Sequence, residues 1–282
     1  MTTPIANSTG NVYYSKISGS TNLFFADPAT VGAPTYTAAN TVTSSAYAVP
    51  ATEAGPAKGS IVDRLTIAAG FTTGNVCYKD IASLDMSGKE AITFYIKSSI
   101  DVLSGVLRFV IDNTSACVSP LETLSIPALT AGVWQRVLLR LNDPSALTAI
   151  ISVGLDALSD PGTVVVDIYQ PRQMDEFEGR KSFSITLNVD ELEGTDYQSI
   201  GSREYEPGFS NATVTIEGHK EGAPVFEKAT KYVIGLAESS TLGNSFICNA
   251  FYTSFTPSGN FSALIEYPLS LRISGALQIP VT

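Results

Sequence analysis

Phe251–Gly275 reads FYTSFTPSGNFSALIEYPLSLRISG, and the way this stretch divides decides the fold. Two strand-like runs flank Thr256-Pro257-Ser258-Gly259-Asn260, a cluster of turn formers that marks a hairpin connection. In the second run Phe261, Ala263, Ile265, Tyr267, Leu269, Leu271 and Ile273 take every odd position. Ser262, Glu266, Ser270 and Arg272 take even ones, with Leu264 and Pro268 breaking the pattern. Successive strand side chains face opposite ways, so one face of this ribbon is apolar and the other mostly polar. At about 3.3 Å per residue the run spans about 40 Å, roughly twice a common strand. A ribbon of that length needs a broad sheet or a neighbouring subunit to pair with. Pro268 donates no hydrogen bond and marks an edge or a bulge.

The chain of 282 residues is long enough for two ordinary domains. It carries 27 acidic against 17 basic side chains, a net charge of -10. That balance argues against a protein that grips phosphate backbones, which takes clustered Lys and Arg. Cys77, Cys117 and Cys248 are far apart and odd in number, with no CxxC. They are expected as buried free thiols, a Cys77–Cys117 disulfide being the alternative. The opening MTTPIANSTG lacks the basic and apolar regions of a secretory signal, and no apolar run approaches membrane-spanning length. A chain made in a cytosol, soluble and without membrane insertion, is expected.

Residues 1–26 are polar apart from Val12-Tyr13-Tyr14 and Leu23-Phe24-Phe25. They form either an arm laid on a neighbour or the first strand of the last domain. Residues 27–173 alternate short strand patterns with turn formers. Residues 31–60 read as a surface loop with one edge strand. The strands follow at 61–68, 75–79, 91–96, 105–112, 135–141, 149–155 and 163–169. Strands at this spacing without helices between them predict an antiparallel sandwich. The charged segment 173–179 (QMDEFEG) is the expected domain boundary. In residues 174–282, Phe183, Ile185, Leu187 and Val189 alternate cleanly, then an acidic loop begins at Asp190. A second alternating strand covers 212–217. Pro224, Val225, Phe226, Ala229, Tyr232, Val233 and Leu236 then fall at helical spacing and predict one amphipathic helix. The predicted fold class is all-β: two β-sandwich domains, the second a sandwich or barrel carrying one α-helix.

The phrases LDMSGKEAITFYIKSS, IPALTAGVWQRVLLRL and VGLDALSDPGTVVVDIY lie within about residues 60–170. They resemble jelly-roll modules grouped with galactose-binding-like and carbohydrate-binding domains. The resemblance implies a framework role for the tryptophan-led strand, with Trp134 in the core or rim; a sugar-stacking role for Trp134 is the alternative. Asp80, Asp85, Asp160 and Asp167 are of the type that binds calcium, but no dense DxDxD run gathers them, and turn capping is expected.

Three further phrases, ITLNVDELEGTD, GSREYEPGFSNATVTIEG and FICNAFYTSFTPSGNFSALIEYPLSLRISGALQ, span about residues 177–282. In this order they resemble tail tube (major tail) proteins of long-tailed bacteriophages. The shared features are a strand leading into a loop that bears Thr195, a charged-aromatic-x-Pro-Gly turn at Glu204-Tyr205-Glu206-Pro207-Gly208, and a final hairpin ending in Ser274-Gly275. The block is short for a complete tube subunit and the module before it is unusual. Either residues 1–26 complete the tube domain, with the sandwich inserted, or the sandwich is appended. The resemblance implies hexameric rings stacked into a DNA conduit in the virion tail, assembled in the host bacterial cytoplasm. The partners implied are other copies of the chain, other tail proteins, and double-stranded DNA passing without specific binding. The expected contact residues are Phe261, Ile265, Tyr267 and Leu269 on the ribbon, with Glu191, Glu193, Thr195 and Tyr205 around the loop 190–203. The jelly-roll-like domain is expected outside, as decoration. The alternative is a baseplate, fibre or capsid decoration protein whose sandwich binds host surface glycans.

Little in the sequence points to catalysis. His219 is the one histidine, in a charged Gly-His-Lys turn, and no HExxH, phosphate-binding loop, GxSxG or Cys/His metal spacing is present. A non-enzyme without a cofactor or metal is expected. From Met174 onward there are 14 acidic and 7 basic residues, against 13 and 10 before it. An acidic lumen would repel DNA and speed its passage; plain solubility explains the same count.

Overall fold

The structure, a computed structural model, describes residues 11–17, 24, 27–29, 34–53, 55–193, 205–219, 226–227, 230–238, 245–255, 266–275 and 277. The chain order is β1 (Asn11–Lys16), β2 (Thr37–Ala38), β3 (Val42–Ala48), β4 (Ile61–Ile67), β5 (Gly74–Leu84), β6 (Ala91–Ser98), β7 (Leu107–Asp112) and β8 (Glu122–Ser125). Then come β9 (Gln135–Arg140), β10 (Ile150–Ala157), β11 (Val164–Glu176), β12 (Arg180–Glu193), β13 (Tyr205–Gly218), β14 (Lys231–Ala237), β15 (Ser245–Phe255) and β16 (Leu269–Ile273). The all-β class holds, and every pairing between named strands is antiparallel.

The sandwich of residues 27–173 packs the sheet β2-β5-β10-β7-β8 against β3-β4-β11-β6-β9. Phe94, Phe109, Leu65, Ile111 and Val153 are sealed between them. The 31–60 segment contributes two edge strands, β2 and β3, rather than one. β8 is additional to the strands read from the sequence: ETLS alternates buried and exposed over only four residues, too short a run to register as a period.

The last block forms the run β12-β13-β16-β15-β14-β1. β1 pairs along its whole length with β14, Asn11 opposite Ala237 and Lys16 opposite Tyr232. Of the two roles weighed for the opening residues, first strand is the one observed. Among the described residues, β1 lies in this sheet ahead of the sandwich strands in sequence, and β12 to β16 lie in it after them.

Two expectations are corrected. The predicted helix at 224–236 is not formed where the chain is described: Lys231–Ala237 is strand β14, paired on both sides, with Tyr232 through Ala237 all buried. A short run that is apolar all round satisfies helical and strand periods alike, and burial on both faces settles it as a central strand. Residues 224, 225, 228 and 229 lie outside the described residues; Phe226 packs its ring on Tyr14, Phe177 and Tyr232. Among the described residues no helix reaches seven residues. Nor is 173–179 a loose junction. β11 runs through it to Glu176, pairing Val164–Ile168 with β4, Val166–Met174 with β6, and Asp175–Glu176 with β1. Gln173, Met174 and Phe177 are buried, because the same strand serves both halves.

Candidate functional site

The feature of the last sheet that points outward is its edge strand. β12 pairs with β13 over Arg180–Glu193, and among the described residues no strand covers its other side. The alternation expected for 182–189 is observed: Phe183 is buried over Val214 and Ile216, Ile185 is half-buried, and Leu187 is 58% exposed. The same face therefore passes from core to solvent along the strand. Among the described residues β13 is covered by β16 only over Thr213–Ile216, so its Tyr205–Ala212 half has no described neighbour beyond β12. The hairpin's root is held by Arg180, whose guanidinium lies 3.5 Å from the Phe177 ring centroid and donates from Nη1 to Tyr267 O at 2.8 Å.

The sequence-predicted contact residues divide. Glu191, Glu193 and Tyr205 come together at this end of the hairpin, Glu193 paired with Tyr205 and Glu191 with Pro207. The acidic loop expected from Asp190 is strand as far as Glu193, and Tyr205–Gly208 is strand rather than a turn. Pro207 is tolerated there because the register shifts between Val189 and Glu191 and β13 has no described second neighbour at that level. Thr195, Phe261 and Ile265 lie outside the described residues. Leu269 and Tyr267 are corrections. Leu269 is 1% exposed, between Ile216 and Phe255, and Tyr267 is 6% exposed beside Arg180. The described end of the ribbon finds partners on both sides within its own chain, so it offers no free edge. Pro268 sits just before β16 begins, at a strand end rather than an edge.

A second concave feature lies where the sandwich meets the last sheet. A cleft of about 740 Å3 is walled by Tyr95, Trp134, Arg136 and Tyr169 from the sandwich and by Ile247 and Asn249 from β15. Trp134 is half-buried at the rim. Its Nε1 donates to Glu53 Oε1 at 2.7 Å, Lys97 Nζ stands 5.3 Å from the ring, and Gly55 lies so close that a Cβ there would come within 2.6 Å of the indole. Arg136 is buried and donates to Thr93 Oγ1, Tyr95 OH and Asn249 Oδ1, at 3.2, 3.0 and 2.7 Å.

The acidic candidates serve the framework. Asp85 accepts from Ser87 N and Asp160 from Gly162 N, both turn caps. Asp80 holds the Ser115–Ala116 turn, and Asp167 forms a two-pronged pair with Arg64 at 2.6 and 2.8 Å. Among the described residues no group of three or more His, Cys, Asp and Glu gathers as metal ligands would. The three cysteines are free and buried, as expected. Burial pushes the Cys117 thiol up to about 11 and Cys248 up to about 12, and raises Cys77 further, so none carries thiolate at neutral pH. His219 bridges to Glu266 through the backbone. No helix of the described chain is long and apolar enough to cross a membrane.

No protein-family model matches the chain, and no curated protein matches it. One solved structure with a matching chain is described as the tail of an empty GTA particle, computed with helical refinement in C6 symmetry. The match has 18% identity and a TM-score of 0.34, and covers 39% of this chain and 87% of that one.

Proposed function

We propose that this chain is a structural subunit of a phage tail that works by meeting copies of itself. In the finer form of the proposal it is the tube subunit, building stacked hexameric rings around passing DNA, with the sandwich outside as decoration. It acts as a structural element, not an enzyme. The reading draws on the tail-tube phrases of residues 177–282. The observation that carries it is the outer side of β12: fourteen residues of strand with no described neighbour on that side, with Leu187 exposed midway along it. Soluble proteins blunt such edges with charge, proline or a covering loop, because an open edge recruits another strand. In Phe183–Val189 no charge or proline interrupts the edge. A head-to-tail contact from this edge to a different surface of the next copy gives a ring where its rotation closes and a filament where it does not.

Negative-stain microscopy and light scattering of the purified full-length chain test the proposal. Rings or tubes that disappear in Leu187→Lys are the expected result. A monomer at every concentration, with β12 amides protected from exchange inside that monomer, would refute it.

A further inference from the structure

We propose that β3 of the sandwich is the surface that receives β12 of the next copy, in parallel alignment, so that the sheets of neighbouring subunits run into one another. The inference rests on the self-assembly reading and names its second half, giving the sandwich a share in the contact beyond decoration. A contact that continues from copy to copy needs two different surfaces, whereas β12 on β12 is two-fold and stops at a dimer. The sheet that β12 belongs to supplies no second edge among the described residues. At its far side β1 is taken up by β14 and by Tyr13 and Tyr14 pairing with β11. The receiving surface therefore lies in the sandwich.

Among the described residues the sandwich strands β2, β3, β8 and β9 each have one side that no strand covers. β2 is two residues long, and β8 is four, opening on Glu122. β9 carries Arg136 and Arg140, and Arg136 is bonded across to Asn249 of β15. β3 differs. Val42–Ala48 runs seven residues without the charge or proline that protects an edge. Phe183–Val189 on β12 is an uncharged run of the same length; each extends about 23 Å. Val42 N bonds back to Ala39 O rather than across to β4. N–H groups alternate sides along a strand, so those of Ser44, Ala46 and Ala48 also point away from β4. Charge sets the direction. The connection that follows Ala48 carries Lys58, which is exposed, and Glu53, which is already bonded to Lys97 and Trp134. β12 begins with Arg180 and Lys181 and ends in Asp190, Glu191 and Glu193. Parallel alignment brings Lys58 to the acidic end, whereas antiparallel alignment sets it against Lys181.

Sedimentation velocity of full-length variants, alone and mixed, tests the contact. Ser45→Lys places a charge at an exposed position of β3, and Ser44→Pro removes an outward N–H, so both should keep the parent's circular dichroism. Each should lose self-association, as Leu187→Lys does at the other half. Ser45→Lys mixed with Leu187→Lys leaves one intact β12 and one intact β3, and should give a one-to-one dimer that grows no further. Lys58→Glu should weaken assembly of the parent, and adding Glu191→Lys with Glu193→Lys should restore it. A folded Ser45→Lys or Ser44→Pro that assembles like the parent would overturn the β3 contact while leaving self-assembly standing. So would either single-edge variant forming a dimer by itself, a mixture that stays monomeric, or a charge swap that fails to restore assembly. A parent chain that is monomeric at every concentration would remove the self-assembly reading, and this contact with it.

Discussion

Asp63 occupies a core-facing position of β4, 3% exposed, and accepts hydrogen bonds from the backbone amides of Thr35 and Tyr36 at 2.5 and 3.3 Å. It ties the segment before β2 to the sandwich. Burial, the largest influence, and the nearby Asp27 carboxylate raise its pKa to about 6 against the pull of those amides; burial raises Asp27 as well. A raised carboxylate means that the folded state holds its proton more tightly than the unfolded chain does. Stability contributed by protonated Asp63 is therefore full below about pH 4 and is lost as pH rises through about 6. The size is about 3 kcal/mol, from a shift of roughly two pH units. Asp63→Asn keeps an acceptor for the amides and removes the titration. Chemical denaturation across pH 4–7 should show a decline in the parent that is absent in the variant, with the variant the more stable at pH 7. The position was not legible from sequence: Asp63 interrupts an alternating run, and the amides that justify it belong to residues nearly thirty positions earlier.

Where an element had one greasy face, the alternation of the sequence placed it well. Phe183-Ser184-Ile185-Thr186-Leu187 was recognisable as a strand, and its burial gradient follows the pattern. The failures came from runs apolar on both faces. In KYVIGLA, Tyr232, Val233 and Leu236 matched a helical stripe only because every residue from 232 to 237 is buried. Gly235 is the residue that makes this strand fit: a Cβ there would approach Leu138 Cδ2 to 3.0 Å and Cδ1 to 3.2 Å, where β14 crosses β9. Gly235→Val should cost about 1–3 kcal/mol by overpacking this crossing, read as a lowered melting temperature. Leu187→Lys is the opposite case. The side chain is 58% exposed, so monomer stability should change by no more than about 0.5 kcal/mol while self-association is lost, checked by thermal melting beside sedimentation velocity. The open edge itself is partly legible: the strand can be read, but that no described strand covers its outer side depends on sheet order, which alternation does not encode. The same limit explains why the alternation of 261–273 leaves a broad sheet and a neighbouring subunit both open as its partner; its described end is central in the chain's own sheet.

At the scale of the whole molecule, the boundary drawn at 173/174 separates two sequence styles but not two independent bodies. β11 is one thirteen-residue strand that finishes the sandwich and then reaches β1. Tyr13, Ala91, Leu138, Met174, Val233, Ala237 and Ile247 form a core shared by both halves, with Tyr13 and Met174 fully buried in it. The cleft is bounded by the same junction, so its shape depends on how firmly the halves hold together. Burying one large side chain contributes about 1.5–3 kcal/mol, and truncating a buried methionine costs about 2–5 kcal/mol. Those amounts are comparable to the whole stability of a domain, about 5–15 kcal/mol. The chain should therefore unfold in one cooperative transition, with calorimetric and van't Hoff enthalpies agreeing. Met174→Ala should split it, the last sheet melting first because Val233 and Ile247 lose their shared core with Met174 while the sandwich keeps its own sealed core. Two transitions in the unmodified chain would mean that β11 does not couple the halves, and would make the sandwich a tethered body.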